Sequence, residues 1–235
     1  MSQLDIITLS ENALLVQFDD QINEHTHQRI MALYRHINNA GIAFIKDIIP
    51  AYTSVTIVFD LMAAIRHTTM NANEYMQNQI QELIDRCDWN AATSSRLLEV
   101  PVCYDASLAP DLERMAQAKQ LSVDGIIRIH TSKTYKVYML GFLPGFAYMG
   151  HIDDAIAMHR LRKPRLNVSA GSVGIAGNQT GIYPLPSPGG WNIIGQTPLQ
   201  IFDASKEEPC FFQPGDIVQF ISISLQEFYQ LVSAE

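Results

Sequence analysis

The chain has 235 residues, 47% hydrophobic and 17% charged, enough apolar material for one large or two modest folded units and too much for disorder. Its formal net charge of -8 denies it the basic footprint that a nucleic-acid or anionic-membrane partner requires. No apolar run reaches membrane-span length, and "MSQLDIITLS" has neither the basic nor the apolar region of a secretion signal, so a cytoplasmic protein is expected.

In chain order, "DIITLSENALLVQF" reads as two short strands around a Ser-Glu-Asn turn. In "NEHTHQRIMALYRHINNAG", Ile30, Leu33, Tyr34 and Ile37 recur at helical spacing, and Gly41 is placed to stop the helix. "GIAFIKDIIPAYTSVTIVFD" predicts two more strands broken at Pro50, and "NANEYMQNQIQELIDRC" a helix with the stripe Met76, Ile80, Leu83 and Ile84. The order β-β-α-β-β-α predicts a small α+β domain over residues 1–90. The short polar run "DWNAATSSR" at 88–96 reads as a linker.

"LLEVPVCYD" then predicts a strand, "APDLERMAQAKQ" a helix with Asp111 near its start, and "SVDGIIRIHTSK" a second helix capped by Ser122. "TYKVYMLGF" alternates as a strand does. Beyond Gly141 short apolar pieces alternate with Gly/Pro turns as far as "DIVQFISIS", the pattern of a β-barrel over 97–224, and the tail 225–235 can close as a helix through "SLQEFYQLV". The three cysteines, Cys87, Cys103 and Cys210, have no metal or redox spacing and read as inert thiols in a reducing compartment. His25 and His27 stand two apart, off any common helix face, so no metal pair is expected there.

One segment is unusual. From Leu166 to Phe202 there is no charged residue, and seven of the thirteen glycines fall between Gly171 and Gly195 with four prolines interleaved by Pro198. Such glycines permit positive φ or close backbone approach, so Gly177 and Gly181 are expected in conformations that a Cβ disfavours. Residue physics leaves two readings matched: rigid loops at a barrel mouth, or plain tight turns.

The strings "GFLPGFAYMG" (141–150), "AGSVGIAGNQTGIYPLPSPGGWNIIGQTP" (170–198) and "PGDIVQF" (214–220), with "VPVCYD" and "VDGIIRIHTSKTYKVYMLGF", resemble the family of 5-oxoprolinase B-type subunits, also called the KipI or allophanate hydrolase subunit 1 family. The likeness is strong over about 98–223 and rests on layout before that. It departs where "MGHIDDAIAMHRLRKPRLNVSAG" replaces a Gly-Leu-Asp-Pro-Arg-like run, at Ser169 in place of a frequent Pro, and at Gln196 in place of a common Arg. The resemblance implies a ferredoxin-like N-terminal α+β domain followed by a cyclophilin-like β-barrel. It implies the B-type member of an ATP-dependent 5-oxoprolinase, working with homologous C-type and further A-type subunits to open 5-oxoproline to L-glutamate. ATP with Mg2+ is the implied cofactor, bound here or only in the complex, and the isolated chain is expected to be inactive. Two other readings stay open: a non-catalytic inhibitor of a sensor histidine kinase, and a carboxyltransferase-type component for urea-like substrates.

A small, singly charged acid calls for one cation and several neutral partners. Arg165 is the candidate cation, its planar fork matching a carboxylate, or else a solvated arginine at a strand start. Gln179, Thr180 and Gly181 offer amide, hydroxyl and backbone contacts from a turn, while Tyr183 and Trp191 can wall a pocket or fill a core. His130, at the end of "VDGIIRIH", is a candidate general base with a plain helix-capping alternative. His130, Gln179 and Tyr183 form the expected catalytic set. No Walker loop is present, since the glycines of "GSVGIAG" are followed by neither Lys nor a helix; nucleotide binding rests on the resemblance alone.

Overall fold

In the computed structural model, which describes residues 4–18, 22–91 and 95–233, the chain divides into two compact units, Met1–Ser94 and Ser95–Glu235. In the linker reading at 88–96, residues 92–94 lie outside the described residues.

The first unit opens with the hairpin β1 (Asp5–Ser10) and β2 (Ala13–Gln17). Helix α1 (Glu24–Asn39), strands β3 (Ile45–Pro50) and β4 (Ser54–Phe59), and helices α2 (Leu61–His67) and α3 (Ala72–Arg86) follow. The sheet is antiparallel throughout in the order β1-β2-β4-β3. Alternation sends Leu14 and Val16 of β2 and Val55, Ile57 and Phe59 of β4 to one face, where they meet Ile30, Leu33 and Ile37 of α1 and Met76, Ile80 and Ile84 of α3. Asn23 caps α1 by accepting from the Thr26 N–H, and Gly41 just past its end has a φ of 60°. Pro50 ends the edge strand β3, where a missing N–H breaks no central ladder.

The ferredoxin-like label is corrected by this topology. That fold runs β-α-β-β-α-β, whereas here a tight turn at Glu11–Asn12 joins β1 directly to β2 and leaves no helix between them. The short helix α2 was not expected; only Ala64 of it is fully buried, so its apolar stripe is too brief to register as a period.

The second unit is a closed barrel, in the order β10-β7-β6-β13-β5-β12-β9. Its strands are β5 (Leu97–Cys103), β6 (Thr134–Leu140), β7 (Ala147–Gly150), β9 (Ser172–Ala176), β10 (Gln179–Ile182), β12 (Asn192–Gln196) and β13 (Ile217–Ile223). The first and last of these, β5 and β13, pair in parallel from Leu97↔Ile217 to Cys103↔Ile223. Arg96 and Asp216 clamp the start of that seam: Nε donates to Oδ1 (2.9 Å) and Nη2 to Oδ2 (2.6 Å), a bidentate pair. A side ribbon pairs β8 (Arg165–Val168) with β11 (Ser187–Gly189). Helices α4 (Leu112–Lys119) and α5 (Val123–Thr131) add Leu112, Met115, Ala116 and Ile126 to the barrel core beside Val100, Val102, Val218 and Phe220. Ser122 caps α5 by accepting from Gly125 N–H, and α6 (Leu225–Val232) starts with a Ser224/Glu227 capping box. No helix among the described residues is long and apolar enough to cross a membrane.

Candidate functional site

The uncharged segment does not act as one unit: part of it is barrel wall and part lines a cleft. Strands β9, β10 and β12 are nearly all buried, which is why they carry no charge. Between them, "IYPLPSPGGW" leaves the barrel as the β11 ribbon and returns. Against it stands the β6–β7 hairpin, "GFLPGFAY".

These two strings wall a cleft of about 280 Å³. Phe142, Phe146 and Tyr148 come from the hairpin, Tyr183, Pro188, Gly189, Gly190 and Trp191 from the ribbon, and Arg160 and Pro164 from the basic run before β8. Phe146 is the hub, its ring edge-on to Tyr148 (4.9 Å between centroids), Tyr183 (5.3 Å) and Trp191 (5.3 Å). Gly189 is required for close approach, because a Cβ there would run into the Tyr183 ring and hydroxyl. Burial pushes the Tyr183 phenol up, opposed by a hydrogen bond from the Trp191 backbone and by the charges of Arg160 and Arg165. Burial raises Tyr148 likewise, again with Arg160 pulling the other way. Both phenols therefore stay neutral donors at physiological pH.

Arg160 is the one charged residue in the lining, and its side chain is exposed. Its backbone is held on both sides: Leu161 N–H donates to Gly190 O (2.7 Å), and Asn192 Nδ2 donates to His159 O (3.0 Å). No carboxylate among the described residues pairs with it. The cleft therefore offers one cation, two phenols and aromatic walls, chemistry suited to a small anion with a flat, weakly polar body.

Of the residues expected from the sequence, Tyr183 and Trp191 meet in this cleft, and Gly181 lies behind its wall. A Cβ on Gly181 would stand 2.8 Å from Ala147 O and 3.3 Å from the Trp191 ring. Its φ is not positive, so it is glycine for space, while Gly177 does have a φ of 58°. Gln179 begins β10 opposite Ala176 and Gly150, on the barrel wall and outside the cleft lining.

Three of the expected residues stand outside the cleft lining. Arg165 donates to Asp111 Oδ1 (2.8 Å); Asp111 also faces Arg114 (3.3 Å) and accepts from Ile193 N–H (2.7 Å). That buried carboxylate holds Nη2 of Arg165 and ties β8 to α4 and β12, while Nη1 is buried without a hydrogen-bond partner. Thr180 is fully buried and donates to Gly174 O (3.1 Å) inside the barrel wall. His130 is likewise 0% exposed, stacked on Phe220 at 4.5 Å.

Its bonds fix the tautomer of His130. Thr180 has spent its one proton on Gly174 O, so it must accept from His130 Nε2–H (3.1 Å). Nδ1 is then the acceptor, taking the Tyr104 hydroxyl proton at 2.8 Å. Burial holds the imidazole down to about 3, so it is neutral, fully bonded and sealed from any substrate. The thiols are equally quiet: burial raises Cys87 to about 11 and lifts Cys103 and Cys210 in the same direction.

Sequence reasoning missed Arg160, Phe142, Phe146 and Tyr148. A signal was available: both long strings that carried the family resemblance line this one cleft, and the basic run "HRLRKPR" contains Arg160 beside the Arg165 that was chosen.

A family profile described as the carboxyltransferase domain, subdomain C and D, matches residues 4–212. The chain is 37% identical over 224 residues to the B-type subunit of 5-oxoprolinase from Bacillus subtilis, covering 94% of this chain and 93% of that protein. Among solved structures it is similar to TTHA0988, at 31% identity and a TM-score of 0.77, over 90% of this chain but only 40% of the other. It also matches the Kluyveromyces lactis urea carboxylase with a TM-score of 0.72 at 17% identity, a likeness of fold over 98% of this chain and 22% of that one.

Proposed function

Since the chain belongs to the family of 5-oxoprolinase B-type subunits, we propose that it fills that place in a 5-oxoprolinase. In this reading it works with homologous C-type and further A-type subunits in the ATP-dependent opening of 5-oxoproline to L-glutamate, in the cytoplasm, through a barrel of the cyclophilin-like kind. The observation that carries this is end-to-end similarity to a B-type relative, 94% of one chain against 93% of the other. The cleft supports it, because its small volume and single cation suit a cyclic monocarboxylic acid.

A lactam amide is stable, and opening it requires its carbonyl oxygen to be phosphorylated or comparably polarised. This chain's part is to hold the acid: aromatic walls exclude water and Arg160 faces the carboxylate. ATP with its Mg2+ belongs to the assembled subunits, since a triphosphate needs several cations and the cleft lining supplies one. Among the described residues no three His, Cys, Asp or Glu converge to hold a metal.

The test is reconstitution. The three purified subunits together should release glutamate from 5-oxoproline and ATP, and this chain alone should release none. Turnover by the isolated chain would refute the shared-site reading. A wild-type assembly with no activity that instead inhibits a sensor kinase saturably, or carboxylates urea-like substrates, would replace it.

A further inference from the structure

The β6–β7 hairpin is made of two consecutive turns that set two aromatic rings. Leu143 N–H donates to Gly141 O (2.9 Å), which closes a three-residue γ-turn with Phe142 at its centre and a φ of 70°. Phe146 N–H then donates to Leu143 O (3.0 Å), closing a β-turn with Pro144 second and Gly145 third at a φ of 80°, the type II arrangement. Gly141 N–H donates to Phe146 O (3.1 Å) and ties the base. Glycine at 145 follows from that φ; phenylalanine at 142 does not. A side chain in this backbone region is uncommon, and such outliers gather at ligand clamps.

Core packing does not explain the outlier. Phe142 is 62% exposed, and its described ring contact is edge-on with Phe146 at 5.7 Å. Phe146, four residues on, is 1% exposed and forms the floor of the cleft wall. The turn thus holds one ring in the wall and a second, little-packed ring at the rim. Among the described lining residues the cleft's one charge is the backbone-tethered Arg160.

From this we infer a two-point clamp for a small cyclic carboxylic acid: Arg160 binds the carboxylate, and Phe142 closes over the face of the ring against the Phe146–Trp191 wall. The inference rests on the reading of this cleft as the substrate site, and it assigns specificity to two residues outside the catalytic chemistry. Ring size is read between aromatic faces, and the acid is told from its uncharged amide by the guanidinium.

Trp191 gives a readout that needs no turnover. In the full chain carrying Trp89→Phe, Trp191 is the remaining tryptophan, and its emission is followed while 5-oxoproline or its carboxamide is added. Saturable binding of the acid in preference to the amide is expected. Phe142→Ala should weaken acid binding about 10-fold, with Phe142→Tyr close to the parent. Arg160→Gln should weaken it about 30-fold and erase the preference for acid over amide. The clamp is overturned if no saturable signal appears in the chain alone or with its partner subunits, or if both variants bind as the parent does. Glutamate release by the reconstituted subunits is scored separately: turnover that survives both variants unchanged sinks the clamp and leaves the 5-oxoprolinase assignment standing. Loss of the wild-type activity while binding persists does the reverse.

Discussion

His130 allows a quantitative test of the barrel interior. The unfolded chain takes up a proton at this site near the ordinary value of 6.5, while the folded barrel holds it off until about 3. In that window the unfolded state binds more protons, so stability falls as pH drops below 6.5 and is fully present above it. The slope is about 1.4 kcal/mol per pH unit, or about 2 kcal/mol lost between about pH 8 and pH 5 from this residue. No solvent discount applies, since the ring is fully buried. Burial is the cause of the shift, and protonating Nδ1 would also break the Tyr104 donation at 2.8 Å. The assay is urea unfolding of the Trp89→Phe chain, with Trp191 reporting on the barrel unit, for parent and His130→Gln. His130→Gln will be less stable at neutral pH, but its curve of stability against pH should be flatter by that amount. Parallel curves, or an NMR titration of the His130 ring near 6.5, would refute the closed neutral network.

The remaining expectations concern the same barrel. Gly181→Ala should destabilise it by about 1–3 kcal/mol in urea, because the new methyl meets Ala147 O at 2.8 Å. Gly177→Ala, in open space at a φ of 58°, should lose only about 1 kcal/mol, and equal effects would contradict the distinction between space and conformation. Asp111→Ala takes the shared carboxylate from two partly exposed arginines and the acceptor from Ile193 N–H, and should cost about 1–3 kcal/mol of stability. Arg165→Gln should lower thermal stability while leaving the KM of the reconstituted enzyme unchanged, and a selective rise in KM would return Arg165 to the substrate site. Phe142→Gly relieves the turn and should raise the melting temperature, by the equivalent of about 1 kcal/mol, while weakening ligand binding.

Local rules carried a large part of this fold. The alternation in "SVTIVF", the stripe Met76–Ile80–Ile84, the cap at Ser122 and the stop at Gly41 each depend on residues within a few positions, so they were legible before any tertiary contact was known. Barrel closure was only implied, because pairing β5 with β13 in parallel joins residues 120 apart through Arg96 and Asp216. The site divides the same way. That "GFLPGFAY" and "IYPLPSPGGW" matter was readable as a resemblance, and so was Tyr183 with Trp191. Which cation faces the cleft was not, since Arg160 and Arg165 stand in one basic run and differ only in what surrounds them. Asp111, 54 residues upstream, takes Arg165, and the tethers at His159 and Leu161 leave Arg160 in the lining. His130 shows the same limit: whether an imidazole at a helix end is a base or a core group depends on Tyr104, Thr180 and Phe220, which come from three separate parts of the chain. Sequence patterns report the faces that elements present, whereas burial and charge pairing depend on what those faces meet.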